Sequence, residues 1–181
     1  APNETHIALL LPNAVASVVT LFALQAFATV PCLLNVSAGA ANMLSACRAA
    51  GVRTIVSSKQ FVAKGGRERV VDRLSQDMRF IWLEDVRETI GTRQKWRAWR
   101  QARHASAFPG ASASPDSAAV VLFTSGSEGA PKGVVLSHRN ILTNCAQLAS
   151  VIDFHGGDIA FNALPMFHAF GLTGGTLLPL L

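Results

Sequence analysis

An α/β fold with mainly parallel sheets and flanking helices is what this sequence predicts, on three observations. Short apolar runs of strand length alternate with longer stretches of helical length throughout the chain. Two long stretches, Thr5 to Cys47 and Ile159 to the last residue, carry no Asp, Glu, Lys or Arg, as strands buried on both faces should. Half of the 181 residues are hydrophobic and 15% are charged, enough for one substantial core and too apolar for a disordered or fibrous chain.

The elements follow in order. Ile7–Leu11 is a strand ended by Pro12-Asn13, and Ala14–Ala28 is a helix of small and large apolar residues. Val30–Asn35 is a second strand. Ser37 is placed to cap a helix reaching Ala50, with Gly51 to stop it. Thr54–Ser57 is a third strand; the helix after it, Phe61–Ser75, carries a Gly65-Gly66 weakness near its start. Phe80–Leu83 is a fourth strand, Arg87–His104 a basic stretch with helical features, and "ASAFPGASASPDSA" (Ala105–Ala118) a linker by composition. Strands Ala119–Phe123 and Gly133–Leu136 flank a glycine-rich loop. Ser137 is placed to cap a helix from about His138 to Val151, Asp158–Leu164 reads as another strand, and a Gly-interrupted helix starts near His168. The organisation expected is a first α/β portion at 1–104, a linker at 105–118, and a second portion at 119–181.

A membrane helix needs about 20 apolar residues, but Pro12-Asn13, Gln25, Pro31, Asn35 and Ser37 interrupt the first uncharged stretch. Buried strand, helix and strand is the better reading. The start lacks the basic region of a signal peptide. The chain opens directly before a core strand and stops inside the apolar run "GTLLPLL", which reads as a piece of a longer protein. Cys32, Cys47 and Cys145 are odd in number, far apart and in apolar company. They fit free core thiols in a reducing, cytosolic setting, with no disulfide framework or metal spacing.

The net charge of +5 is unevenly spread: residues 48–104 hold fourteen of the sixteen Lys/Arg and six of the eleven acids. Within "RETIGTRQKWRAWRQARH" (Arg87–His104), Trp96 and Trp99 share a helical face with Arg93, Lys95, Arg97, Arg100 and Arg103 around them. A surface helix packing both tryptophans onto the core is the plain expectation. The functional readings are docking of an acidic carrier protein or contact with anionic lipid headgroups. Nucleic acid is not expected, since no recognition motif accompanies the charge.

The loop "TSGSEGAPKG" (Thr124–Gly133) carries the chemistry. Directly behind a buried strand it places hydroxyls at Thr124, Ser125 and Ser127, glycines at 126, 129 and 133, and a lysine at 132. Glycines let backbone N–H groups approach an anion, hydroxyls donate, and the lysine adds a mobile charge, a combination suited to polyphosphate. Pro131 before the lysine and Gly133 after it exclude a Walker A loop, and the spacing is not that of a dinucleotide fingerprint. The bland alternative is a simple Gly/Ser turn.

The loop resembles the phosphate-binding loop of the adenylate-forming, AMP-binding acyl-activating enzymes. "HRNILTN" after it, "ALPMFHAFGL" (Ala163–Leu172) and "LLPNAVASVVTLFALQAFATVPCLLN" upstream are similar to the corresponding stretches of that family, so the resemblance spans nearly the whole chain. Within it, "LFTSGSEG", "ALPMFHAFGLT", "LLPN" and "WLEDVR" are similar to the acyl-[acyl-carrier-protein] synthetase half of bacterial bifunctional 2-acylglycerophosphoethanolamine acyltransferases.

The resemblance implies a portion of the family's large N-terminal domain. It implies ATP and Mg²⁺ as cofactors, and a fatty acid activated as its acyl-adenylate and passed to the thiol of acyl carrier protein or coenzyme A. It further implies a cytoplasmic setting, with the full-length protein at the inner face of the bacterial inner membrane. Carried onto this chain, Thr124, Ser125, Gly126, Ser127, Glu128, Gly129, Lys132 and Gly133 form the nucleotide loop. Lys132 and His168 are the catalytic candidates, His168 beside the reacting carboxylate, with a core histidine between Phe167 and Phe170 as the plain alternative. Glu128 stands where most members have a hydroxyl; it points away, or reaches phosphate through Mg²⁺ or a neighbouring cation. The family's later motifs, including the distal catalytic lysine, have no counterpart before Leu181, so residues 1–181 alone are expected to be inactive. The other readings are an acyl-CoA synthetase, a non-catalytic nucleotide- or anion-binding module, and a membrane-surface protein.

Overall fold

A computed structural model describes residues 4–124 and 131–181. Six strands form one sheet in the order β4-β3-β1-β2-β5-β6: β1 His6–Leu10, β2 Val30–Leu33, β3 Thr54–Ser57, β4 Arg79–Trp82, β5 Ala118–Thr124 and β6 Lys132–Ser137. The first five run parallel, and β6 returns antiparallel to β5. The helices are α1 Val15–Ala26, α2 Ala40–Ala49, α3 Lys59–Lys64, α4 Glu68–Leu74, α5 Leu83–Thr89, α6 Thr92–Gln101, α7 His138–Val151 and α8 Ala169–Leu172. Past α8 the chain continues in a π turn, Thr173–Leu177, and a 3₁₀ turn, Leu178–Leu180.

Alternation of side chains along each strand divides the core between the two faces of the sheet. Ala8, Leu10, Cys32, Leu34, Ile55 and Val121 meet Met43, Leu44 and Cys47 of α2 and Leu74 of α4. Leu9, Leu33, Val56, Val120 and Leu122 meet Leu21 of α1, Ile141 and Cys145 of α7, and Leu172 and Leu177. The expected mainly parallel sheet with flanking helices is therefore present, and the first uncharged stretch supplies its strands β1 and β2, covered on both sides, together with α1 and most of α2. Cys32, Cys47 and Cys145 are free and buried. Burial pushes the Cys32 thiol up to about 12, with Cys47 and Glu4 adding to it, and Cys47 up to about 11, so neither is a nucleophile at neutral pH. Among the described residues no helix is long and apolar enough to cross a membrane.

Several local expectations hold and others need correction. Gly51 follows α2 with φ +64°, the left-handed position that glycine occupies without steric cost. The cap of α2 is Gly39 rather than Ser37, because Asn35 takes the Ser37 N–H through its side-chain oxygen (2.8 Å) and turns the chain first. The helix expected at Phe61–Ser75 is two helices, α3 and α4, broken at Gly65-Gly66 where Gly66 has φ +60°. The basic stretch likewise breaks at Ile90-Gly91 into α5 and α6. In the stretch read as a linker, the 3₁₀ turn Pro109–Ser112 lies against the end of α1, so close that a Cβ on Gly110 would overlap the Gln25 carbonyl. The strand expected at Asp158–Leu164 does not form. Its apolar residues read as buried, but Ile159 is 95% and Phe161 91% exposed, and the segment is held by side-chain hydrogen bonds instead of a ladder.

Candidate active site

Strands β1, β2 and β5 are neighbours and parallel, so the segments leaving their carboxyl ends converge on one edge of the sheet. In open α/β sheets that edge is where ligands bind.

At this edge β5 and β6 form the frame of the glycine loop. Their register places Thr124 opposite Lys132 and Phe123 opposite Gly133, so the hydroxyl and the ammonium stem face each other across the loop mouth, both exposed. The apolar run Ala118–Phe123 makes the strand, and a Cβ at Gly133 would meet Val121 and Phe123 only at ordinary contact distance, so the pairing of β6 does not itself require a glycine there. Ser125, Gly126, Ser127, Glu128 and Gly129 lie outside the described residues. Below the mouth is a cleft of about 200 Å³ between β2, α2 and β5, lined by Asn35, Asn42, Met43, Phe123, Thr124 and Pro131 among others. Beyond β6, Ser137 accepts the Asn140 N–H (3.1 Å) while Asn140 accepts the Ser137 N–H (3.0 Å), the reciprocal cap that starts α7. Arg139 holds Asp116 through two hydrogen bonds, 2.6 and 3.0 Å, tying α7 to the entry of β5. The Arg139 guanidinium lowers the Asp116 carboxyl below its ordinary value.

The Pro165–His168 segment occupies the same edge over the ends of β1 and β2. Met166 and Phe167 are buried against Leu9, Leu11, Leu33 and Leu34, leaving a gap of only about 20 Å³. His168 follows them but is exposed, its ring tilted on Phe167 at 4.6 Å between centroids. Phe170 is 65% exposed. The alternative of a core histidine packed between two phenylalanines is therefore corrected: only Phe167 goes inward, because a four-residue helix beginning at Ala169 cannot bury both flanking rings on one face.

One residue of this site entered the sequence analysis only as a strand terminator, a break in the uncharged stretch and the end of "LLPN", with no site role. Asn13, just past β1, donates through its amide to the Leu164 carbonyl (2.6 Å) and accepts the Met166 N–H (2.9 Å). No local signal marks it, since the groups it binds lie about 150 residues on.

The basic helix stands apart from this edge. Every residue from Gly91 to His104 is exposed, and the expectation that α6 packs its tryptophans onto the core is overturned. Trp96 and Trp99 are instead covered in part by their own helix, with the Arg100 guanidinium 4.8 Å from the Trp96 ring and Arg103 4.3 Å from Trp99.

Comparison with known proteins agrees with this architecture. The chain matches the family described as AMP-binding enzyme over residues 2–181. It is 28% identical over 178 residues to 4-coumarate–CoA ligase 2 of Oryza sativa subsp. japonica, covering 92% of this chain and 31% of that protein. It is 27% identical over 114 residues to the medium-chain-fatty-acid–[acyl-carrier-protein] ligase JamA of Moorena producens, 63% of this chain and 17% of that one. Among solved structures, o-succinylbenzoate coenzyme A synthetase from Bacillus subtilis in complex with AMP superimposes with a TM-score of 0.71 at 18% identity, over 99% of this chain and 42% of that one. The chain thus spans less than half the length of these relatives.

Proposed function

The chain belongs to the AMP-binding enzyme family, and from that premise we propose that it supplies the phosphate-loop side of an ATP-dependent ligase that activates a fatty acid as its acyl-adenylate and passes the acyl group to a thiol. The observation that carries the reading is the pairing of Thr124 with Lys132 across the loop mouth, on the sheet edge that also carries the exposed His168. In this reading both portions, 1–104 and 119–181, serve one site, the first through the ends of β1 and β2 and the second through the loop.

The donor set fits a polyphosphate. Thr124, Ser125 and Ser127 would donate hydroxyl hydrogen bonds to phosphate oxygens, Lys132 would place a compact positive charge on them, and Gly126, Gly129 and Gly133 would let the backbone come near. Among the described residues no group of three or more His, Cys, Asp or Glu could hold a metal ion. Most ligands of ATP and Mg²⁺ are expected to come from outside these 181 residues, with Glu128 the acid nearest the loop's phosphate donors in sequence; the ion's chemistry is to neutralise phosphate charge. His168 would stand beside the acid's carboxylate, and the exposed Phe170 would border the acyl chain. Catalysis by such groups is positioning and electrostatic stabilisation of charge that moves onto phosphate oxygens.

For the thiol, acyl carrier protein is the finer proposal. The exposed cations of α6 suit an acidic protein better than a bilayer, because its tryptophans share one sector with arginines and no separate apolar stripe exists to enter lipid. Coenzyme A is the second reading, favoured by the similarity to 4-coumarate–CoA ligase 2 across 92% of the chain. The wording shared with the bifunctional acyltransferase/synthetase subgroup extends the proposal to recycling of phospholipid acyl chains.

The experiment is acid-dependent ATP–pyrophosphate exchange by the full-length protein, followed by product analysis with holo acyl carrier protein or coenzyme A as acceptor. Exchange with fatty acids supports the reading. Exchange with aryl acids or amino acids alone replaces the substrate, and no exchange with any carboxylic acid overturns it.

A further inference from the structure

We propose that Asn13 is a positioning residue for the reaction, holding the backbone that presents His168; the inference rests on the ligase reading above. The carboxamide of Asn13 offers one acceptor and one donor, and both are used on a single short segment: Met166 N–H to Oδ1 at 2.9 Å and Nδ2 to the Leu164 carbonyl at 2.6 Å. That pattern reads two alternate backbone groups as a neighbouring strand would, in a segment that has no strand partner. Asparagine alone among residues of its size supplies both groups in this geometry; aspartate cannot donate and leucine can do neither.

The far end of the segment is held as firmly. Asn162 accepts the Leu164 N–H (3.1 Å) and donates to Thr176 Oγ1 (3.0 Å), while Thr176 donates to the Gly171 carbonyl (2.8 Å). Gly171 has no room for a Cβ beside the Pro165 carbonyl. Asn13 is itself anchored, since it lies inside the turn closed by Ser17 Oγ donating to the Pro12 carbonyl at 2.5 Å. An exposed imidazole on a base this constrained differs from an ordinary surface histidine. Its backbone is fixed through the end of β1, the central strand that also pairs with β2 beside the loop strand β5. Preorganisation of this kind is what a group beside a reacting carboxylate requires, because a displacement of about 1 Å can cost on the order of a hundredfold in rate.

The test uses the full-length protein with Asn13→Ala, Asn13→Asp, His168→Ala and the double variant Asn13→Ala/His168→Ala. We expect Asn13→Ala to lower kcat for acid-dependent exchange by about tenfold or more, with the KM for ATP unchanged, and Asn13→Asp not to rescue it. In the His168→Ala background the same change should cost little, since one residue acts through the other. Hydrogen exchange gives a readout independent of activity: the Met166 amide should exchange faster in Asn13→Ala while the amides of β1 and β2 keep their protection. Full activity in Asn13→Ala, or additive losses in the double variant, overturns the positioning role while leaving the ligase reading intact. Unchanged protection of Met166 overturns the clasp itself, even if the wild-type protein shows no exchange activity and the ligase reading fails.

Discussion

Two regions of this molecule invert the usual association of regular structure with rigidity. Residues 162–168 contain no helix or strand, yet hydrogen bonds from Asn13 and Asn162 and the burial of Met166 and Phe167 fix them. Helix α6 is fully regular, yet none of its residues is buried. Its order comes from within: Gln94 accepts the Gly91 N–H at 2.7 Å, and two arginines lie over the tryptophans one turn back. An isolated helix shorter than roughly 12–15 residues is marginal in water, so α6 rests on local propensity alone. Long-range contacts, not backbone regularity, decide which of the two is held in place. Under the proposed function, the group that must be presented within fractions of an ångström would stand on the irregular segment, and the proposed carrier-docking surface would lie on the helix.

The largest effect expected on the fixed side is at Lys132. In the full-length protein Lys132→Ala should slow adenylate formation by roughly ten- to a thousandfold, as loss of one preorganised charge contact does. Lys132→Arg should not restore it, since a planar fork does not replace a compact ammonium. Wild-type rates of pyrophosphate exchange in Lys132→Ala would reduce the loop to a turn.

Gly171→Ala tests the rigidity of the irregular segment directly. A methyl group there overlaps the Pro165 carbonyl and should destabilise the protein by about 1–3 kcal/mol, the usual cost of overpacking. Thermal or denaturant unfolding measures it, and an unchanged midpoint would mean that the segment yields freely.

On the helix side the same measurement should find almost nothing. Trp96→Ala and Trp99→Ala should each change stability by no more than about 0.5 kcal/mol, as expected of residues outside the core. Charge reversal at Arg97, Arg100 and Arg103 should raise the KM for acyl carrier protein by roughly tenfold at low salt, and less at high salt, while adenylation is unaffected. A carrier KM that ignores both the reversal and the salt would remove α6 from the reaction.

An effect read only on the acid limb marks where tertiary anchoring stops. Glu84 of α5 accepts hydrogen bonds from Ser58 Oγ (2.7 Å), Lys59 N–H (3.0 Å) and Gln60 N–H (3.1 Å), closing the amino end of α3. Burial opposes its charge, but these donors prevail and hold its carboxyl at about 2, below the ordinary 4.5. A depressed carboxyl contributes stability that is complete above the unfolded value and is lost as pH falls from about 4.5 toward about 2. Glu84→Gln should flatten that part of the stability–pH curve; identical acid limbs in the two proteins would show that α5 is as loosely held as α6.

The sequence by itself determined the layers. Apolar runs of strand length and the glycine at 51 are local signals, and local sterics and burial suffice to turn them into β1 to β3, α1 and the end of α2. Ser137 and Asn140 determined the start of α7 for the same reason, because both partners of that cap lie within one turn. The loop frame was equally legible: β5 and β6, close in sequence on either side of the glycine-rich loop, pair antiparallel. Tertiary structure decided the rest. Whether Ile159 and Phe161 become a strand depends on a free ladder, and an apolar run carries no sign of whether a neighbour will be there. Whether Trp96 and Trp99 face a core or solvent depends on where Gly91 sends the helix. The partnership of Asn13 with Leu164 and Met166 appears only when the end of β1 and the segment before α8 arrive at the same sheet edge. A hydrogen bond between residues so far apart leaves no periodicity and no spacing to read, and it is this kind of contact that holds the candidate site.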